Sequence, residues 1–255
     1  MTQQSDPKFE ALLRLGDNTL ILGHRVSEWC GHAPVLEEDI ALANTALDLL
    51  GQTNLWLEYA GEVEGKGRSA DDLAFLRDAW DFRNVLLVEL PNGDFGQTIM
   101  RQYLFDVFNR MNLEALTTSA DRQIAEIAEK AAKEAAYHVE RSEGTVIGLG
   151  DGTEESHRRM QDALNVLWPY AQELFITDEV DEAMAEAGVI PHPKSLQDAW
   201  DAEVRAVLAE ATLEVPEAHF GHRGSGKDGR MHTEHLGHIL TQMQWLQRAY
   251  PGQEW

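Results

Sequence analysis

An all-α fold is predicted by three observations. No stretch of the 255 residues sustains a two-residue alternation of apolar and polar side chains. Apolar residues recur instead at helical spacing in long segments closed by Gly- or Pro-containing turns. Hydrophobic residues make up 43% of the chain, enough for a large core, and no linker, low-complexity tract or fixed repeat divides it.

The first helix is expected over about 8–30, softly interrupted at Gly16 and Gly23, and Gly31–Pro34 makes a turn short enough for an antiparallel neighbour. The second, about 35–60, opens on Glu37, Glu38 and Asp39, as the positive end of a helix dipole favours. Its apolar residues cover more than one stripe, so it is expected to be buried on most sides. After a loop at 61–69 a third helix fits 71–90, stopped by Pro91-Asn92-Gly93. Asp94 caps a fourth over 95–116. The Ala-, Glu- and Lys-rich run 121–147 is the strongest helix former, ended by Gly148 to Gly152. Further helices fit 154–175 with a kink at Pro169, 178–187, 195–211 and 232–250, and Gly221–Arg230 reads as a flexible loop. Two hairpins, 8–60 and 95–147, thus flank a crossover helix. With a helical C-terminal extension over about 154–255, the whole of 1–255 reads as one ferritin-like four-helix-bundle domain.

The formal net charge is −23, from 44 acidic against 21 basic residues spread along the chain. Such a field opposes nucleic-acid backbones and anionic membranes, so neither is an expected partner. The single cysteine, Cys30, excludes an intramolecular disulfide and a zinc site built on several cysteines. The first ten residues lack the features of a signal peptide and no apolar run spans a bilayer, which together read as a cytoplasmic protein.

In di-iron carboxylate bundles two helices give one Glu each, and the other two give a Glu-x-x-His pair from a buried face. The run Asp48-Leu49-Leu50-Gly51-Gln52 is similar to such a ligand helix, with Leu49 in place of the Glu and Gln52 in place of the His. Leu has no donor atom and an amide is a weak one, so the helix reads as one that has lost its ligands. On the facing helix Asp17 lies toward the wrong end and Glu28 too close to the turn. In the second hairpin Asp106 is expected opposite Glu134, with Tyr137 where the His belongs and His138 rotated off the site. A buried polar network is the plainer reading of Asp106 and Glu134.

Other clusters carry less. His219, His222, His232, His235 and His238 include a row spaced by three that is compatible with zinc or with surface histidines. Gly221 to Asp228 nearly spells a P-loop, but Asp228 replaces the Ser or Thr and no strand precedes it. Its Arg223, Lys227 and Arg230 form a basic patch suited to an acidic partner or a phosphate-bearing ligand such as an acyl-CoA, or serve the loop's solubility. Cys30, beside His24 and His32, reads as packing rather than as a nucleophile. Trp245 and Trp255 are candidates for contact with another chain.

Five separate blocks, LGDNTLILGHRVSEWCGHAP, EEDIALANTALDLLGQ, ELPNGDFGQTIMRQYLFD, KEAAYHVERS and HTEHLG with MQWLQRAYPGQEW, resemble one family. It is the family of C subunits of the phenylacetyl-CoA epoxidase complex, also called ring-1,2-phenylacetyl-CoA monooxygenase or phenylacetate-CoA oxygenase. The resemblance covers essentially the whole chain. It implies a ferritin-like fold and a non-catalytic structural subunit of a hetero-oligomer in aerobic phenylacetate catabolism. A related catalytic A subunit would hold the di-iron centre, and a small B subunit and a reductase with FAD, iron–sulfur and NADPH would complete the system. No cofactor, metal or catalytic residue is then expected in this chain itself. The alternative from the residues is a metal-dependent oxygenase with atypical ligands, Asp106, Glu134 and His138.

Overall fold

In the computed structural model, which describes residues 6–222 and 224–253, every regular element is helical. In chain order these are α1 (Pro7–Ser27), α2 (Leu36–Glu64), α3 (Ala70–Phe75), α4 (Leu86–Glu89), α5 (Phe95–Leu116), α6 (Arg122–Gly150), α7 (Glu154–Ala171), α8 (Glu179–Glu186), α9 (Lys194–Glu210) and α10 (Glu234–Ala249). Short 3-10 turns occupy Ala79–Asp81, Gln172–Phe175 and Gly226–Asp228. The chain divides into two compact units, one of α1–α4 with α10 and one running from Asn92 to His222 with α5–α9. The expected C-terminal extension is thereby shared, since α10 joins the first hairpin and α7–α9 stay with the second.

In the first unit α1 begins at Asp6, whose carboxylate accepts the Lys8 N–H at 2.8 Å, with Pro7 at the first helical position. The short turn folds α2 back antiparallel along it. At Gly16 a Cβ would stand 2.5 Å from the Leu57 side chain, so the helices approach where a side chain is missing. One turn on, the hydroxyls of Thr19 and Thr53 meet at 2.8 Å. Helix α2 continues one turn past its expected end because Gly61 leaves room for the Arg68 carbonyl, and Gly65 ends it in the left-handed conformation, φ 69°.

The helix expected over 71–90 is broken into α3, a 3-10 turn and α4. The cause is Asp17, fully buried in α1. The Arg77 guanidinium pairs with both of its oxygens, and the Arg83 backbone N–H donates to Oδ2 at 2.8 Å. Arg77 also donates to the Asp81 carbonyl at 2.9 Å, and Asn18 Oδ1 accepts the Val85 N–H at 2.9 Å. A continuous helix would bond these backbone groups to itself and leave Asp17 without them.

A second buried acid, Glu89, holds the C-terminal segment. Its carboxylate accepts from Asn84 Nδ2 at 2.9 Å, His232 Nδ1 at 2.5 Å, and the Thr233 N–H and hydroxyl, each at 2.7 Å. Part of the loop expected to be flexible packs against the same place. Ser225, Gly226 and Lys227 are buried, and a Cβ on Gly226 would come within 2.1 Å of the Asn84 carbonyl. Beyond it, Gln244 in α10 donates to the carbonyls of Ala74 and Arg77, each at 3.0 Å.

The second unit starts as expected, with Asp94 accepting the Gln97 N–H at 2.9 Å. Helix α6 passes through Gly148 to Gly150, where a Cβ would strike the Ala211 carbonyl at 2.5 Å. Past Pro169, near the end of α7, the chain tightens into the 3-10 turn. Trp200 of α9 packs against Trp168 (tilted) and Phe175 (edge-on), with ring centroids 5.7 and 5.2 Å away, and its Nε1–H donates to the Leu104 carbonyl of α5 at 3.1 Å. Among the described residues no helix is long and apolar enough to cross a membrane.

Removing Arg77 leaves Asp17 as an uncompensated buried charge. Arg77→Ala is therefore expected to lower unfolding free energy by about 3–5 kcal/mol, read from urea denaturation. A loss below about 1 kcal/mol would show that the break between α3 and α4 has another cause.

Candidate functional site

The two positions where a di-iron bundle would place its ligands lie one in each hairpin. In the first, Leu49 and Gln52 of α2 are buried and Asp48 is half-buried. Across from them α1 presents small groups. Gly23 lies under Leu49 and Leu50, and Thr19 bonds Thr53. The one buried acid of α1, Asp17, is paired with Arg77. This hairpin offers no carboxylate–imidazole pair to an iron ion.

In the second hairpin Asp106 of α5 is buried and hydrogen-bonded on both oxygens. Gln102 Nε2 donates to Oδ1 at 2.6 Å, and the Ser142 hydroxyl of α6 lies 3.0 Å from Oδ2. The residue of α6 bonded to Asp106 is therefore Ser142, two turns beyond Glu134. His138 is buried on the same stripe, whereas Tyr137 is 53% exposed. The expected phase is corrected by one residue. Glu134, His138 and Ser142 succeed each other by four, which keeps them on one face of α6.

Burial pushes the Asp106 carboxyl up from its ordinary 3.8 to about 6, opposed by His138, by the bonds from Gln102 and Ser142, and by Arg141. The Ser142 hydroxyl that donates to Asp106 Oδ2 also lies 2.8 Å from the His138 carbonyl, so its single hydrogen is shared between two acceptors. One acid, one imidazole, an amide and a hydroxyl do not make the carboxylate-rich set that two irons need. Among the described residues no three His, Cys, Asp or Glu side chains are grouped to hold a metal ion.

The remaining candidates are dispersed. His232 is bonded to Glu89, His222 lies against Tyr170 and Phe220 with centroids 5.7 and 5.2 Å away, His235 is half-buried, and His219 and His238 are exposed. Lys227 is buried and Arg230 exposed, and no strand precedes their loop. Cys30 is exposed. Arg223 and Trp255 lie outside the described residues. Trp245, 60% exposed, borders a cleft of about 500 Å³ with Asp78, Gly237, Thr241, Gln244 and Arg248, the last paired to Asp78 at 3.0 Å. Gln102 and Ser142 escaped the sequence reading. The four-residue spacings 102–106 and 138–142 are the signal that would have found them.

Residues 1–255 match the family described as phenylacetic acid catabolic protein. A relative in Escherichia coli (strain K12), the C subunit of 1,2-phenylacetyl-CoA epoxidase, is 52% identical over 243 residues, covering 95% of this chain and 97% of that protein.

The displaced Asp106 value predicts a pH dependence. Below pH about 4 the acid is protonated in folded and unfolded chains alike. As pH rises toward about 6 the unfolded chain ionises first, so the wild type loses stability, by about 3 kcal/mol once both states are charged. Asp106→Asn keeps the bonding without the charge. Its stability relative to wild type, from urea midpoints, is expected to rise by up to about 3 kcal/mol between pH 4 and pH 7. A variant that loses ground over that interval would mean that the folded protein favours the carboxylate.

Proposed function

The chain belongs to the phenylacetic acid catabolic protein family, a family of ferritin-like helical bundles, and within it we propose a non-catalytic structural subunit of a phenylacetyl-CoA epoxidase complex. The observation that carries this reading is the chemistry of the two hairpins. Leu49 and Gln52 occupy one set of ligand positions, and the other holds a single carboxyl whose burial opposes the charge a metal would require. Likeness to the C subunit of an epoxidase supplies the substrate class.

In this proposal the reaction, epoxidation of the aromatic ring of phenylacetyl-CoA with dioxygen and electrons from NADPH, takes place on the di-iron centre of a related A subunit. Electrons arrive through a reductase carrying FAD and an iron–sulfur cluster, and the hetero-oligomer also includes a small B subunit. This chain's part is to present a paralogous helical face that stabilises the A subunit, as one half of a pseudo-symmetric pair supports the other. Arg230 and Trp245 are surface residues available for contact.

A second reading, a metal-dependent oxygenase using Asp106, Glu134 and His138, is favoured by the burial of His138 beside Asp106. Elemental analysis of the chain expressed alone with iron supplied separates the two. The structural role predicts essentially no iron per mole of protein, and a stable complex on co-expression with the A subunit. Two irons per chain, lost in His138→Ala, would replace it with the oxygenase.

A further inference from the structure

Burial in the first unit departs from what composition suggested. Helix α2, expected to be buried on most sides, leaves Leu36, Ile40 and Leu47 exposed. The C-terminal segment, which opens in a loop of flexible composition, is held at a closely packed pair. The side chains of His232 and Glu89 are 4% and 0% accessible and meet at 2.5 Å. From Ser225 to Ala249 the chain lies as a strap over the first hairpin, touching Asn84 through Gly226, Glu89 through His232 and Thr233, and the Ala74 and Arg77 carbonyls through Gln244.

Both nitrogens of the His232 ring face oxygen. Nδ1 lies 2.5 Å from Glu89 Oε1, and Nε2 lies 3.3 Å from the Phe82 carbonyl. A neutral imidazole has one N–H and one lone pair, so in either tautomer one contact would set lone pair against lone pair, away from water. An imidazolium donates at both. The Phe82 carbonyl also accepts from Arg83 at 2.9 Å, which leaves it a second lone pair for the ring. Glu89 in turn meets four donors, among them the Thr233 N–H at the start of α10, and these favour the carboxylate.

The neighbouring charges have partners of their own. Arg83 is bound by Glu10 at 2.6 Å. Arg25 of α1 donates to the Glu89 backbone carbonyl and is bound by Glu28 at 3.0 Å. Asp17 is bound by Arg77. On the strap itself Lys227 is buried, Asp228 accepts the Arg230 N–H at 2.8 Å, and Glu234 is exposed. Glu89 is the carboxylate in hydrogen-bond contact with the ring.

We propose that the segment Ser225–Ala249 is a strap locked by a proton: His232 closes on Glu89 as an imidazolium, and loss of the Nε2 hydrogen to solvent as pH rises releases the strap from the first hairpin. Deprotonation costs the bond to Phe82 and leaves the buried Glu89 anion without the cation beside it.

Hydrogen exchange of the full chain tests this, read by mass spectrometry from about pH 6 to about pH 9 and divided by intrinsic rates to give the opening constant of the strap. Below about pH 6.5 the ring holds its proton in the open and the closed strap alike, so the constant is expected to be level. Above that, opening releases one proton, and the constant is expected to rise by up to about tenfold per pH unit. His232→Gln keeps an amide donor without a titrating ring, so its opening constant should be raised throughout and independent of pH. A level wild-type profile, a rise retained in His232→Gln, or opening favoured by acid would each overturn the proposal. If His232→Gln does not fold, the ring 15N shifts of His232 in the wild type decide. Two protonated nitrogens at pH about 7 support the lock, and one bare nitrogen overturns it.

Discussion

A carboxylate taken out of water has to be answered by donors or lose its charge, and both compact units are arranged around that requirement. Asp17 is answered by a guanidinium and a backbone N–H drawn from 60 and 66 residues along the chain. Glu89 is answered by four donors, two of them from Thr233. Asp106 is answered by an amide and a hydroxyl only, and burial accordingly moves it toward the neutral acid. The number and charge of available donors set how far burial can push a carboxyl toward its neutral form.

The same requirement explains how the hairpin interiors depart from a metal site. A metal-binding bundle meets its buried carboxylates with cations at the centre. In this chain the acids of the first unit are met by Arg, His, Asn and Thr side chains and backbone N–H groups, while the space between α1 and α2 is closed by Gly16, Gly23, Leu49 and Leu57. The helices approach closely there, and the Thr19 and Thr53 hydroxyls bond each other across the gap at 2.8 Å.

Much of this was legible in the sequence, and what was not has physical causes. The two hairpins declared themselves because their apolar periodicity is long and is punctuated by the Gly31–Pro34 turn and the Asp94 cap, although the end of α2 was placed one turn too early. Leu49 and Gln52 were legible for the same reason, since a helical face fixes which residues share it. The 70–90 segment was not, because the acid that breaks it, Asp17, lies in another helix and local composition reads as helix-compatible throughout. Loop 221–230 has the composition of a flexible linker, yet Gly226 is there to let the chain lie on the Asn84 carbonyl. His138 was misplaced by a single residue, which on a helix is a third of a turn and exchanges the buried side chain for the exposed one.

The path of the chain through the two units sets an order of events during synthesis. The polypeptide leaves the first unit after Pro91 and rejoins it only beyond His222. Glu89 emerges from the ribosome roughly 7 to 30 s ahead of His232 and Thr233 at ordinary elongation rates. Until then it lacks three of its four hydrogen bonds and has to stay hydrated. The intervening unit can assemble in that interval, so the first hairpin is begun earliest and sealed last. A nascent chain that stops short of residue 232 keeps Glu89 in water and the first unit open, a state that exposes it to degradation before assembly.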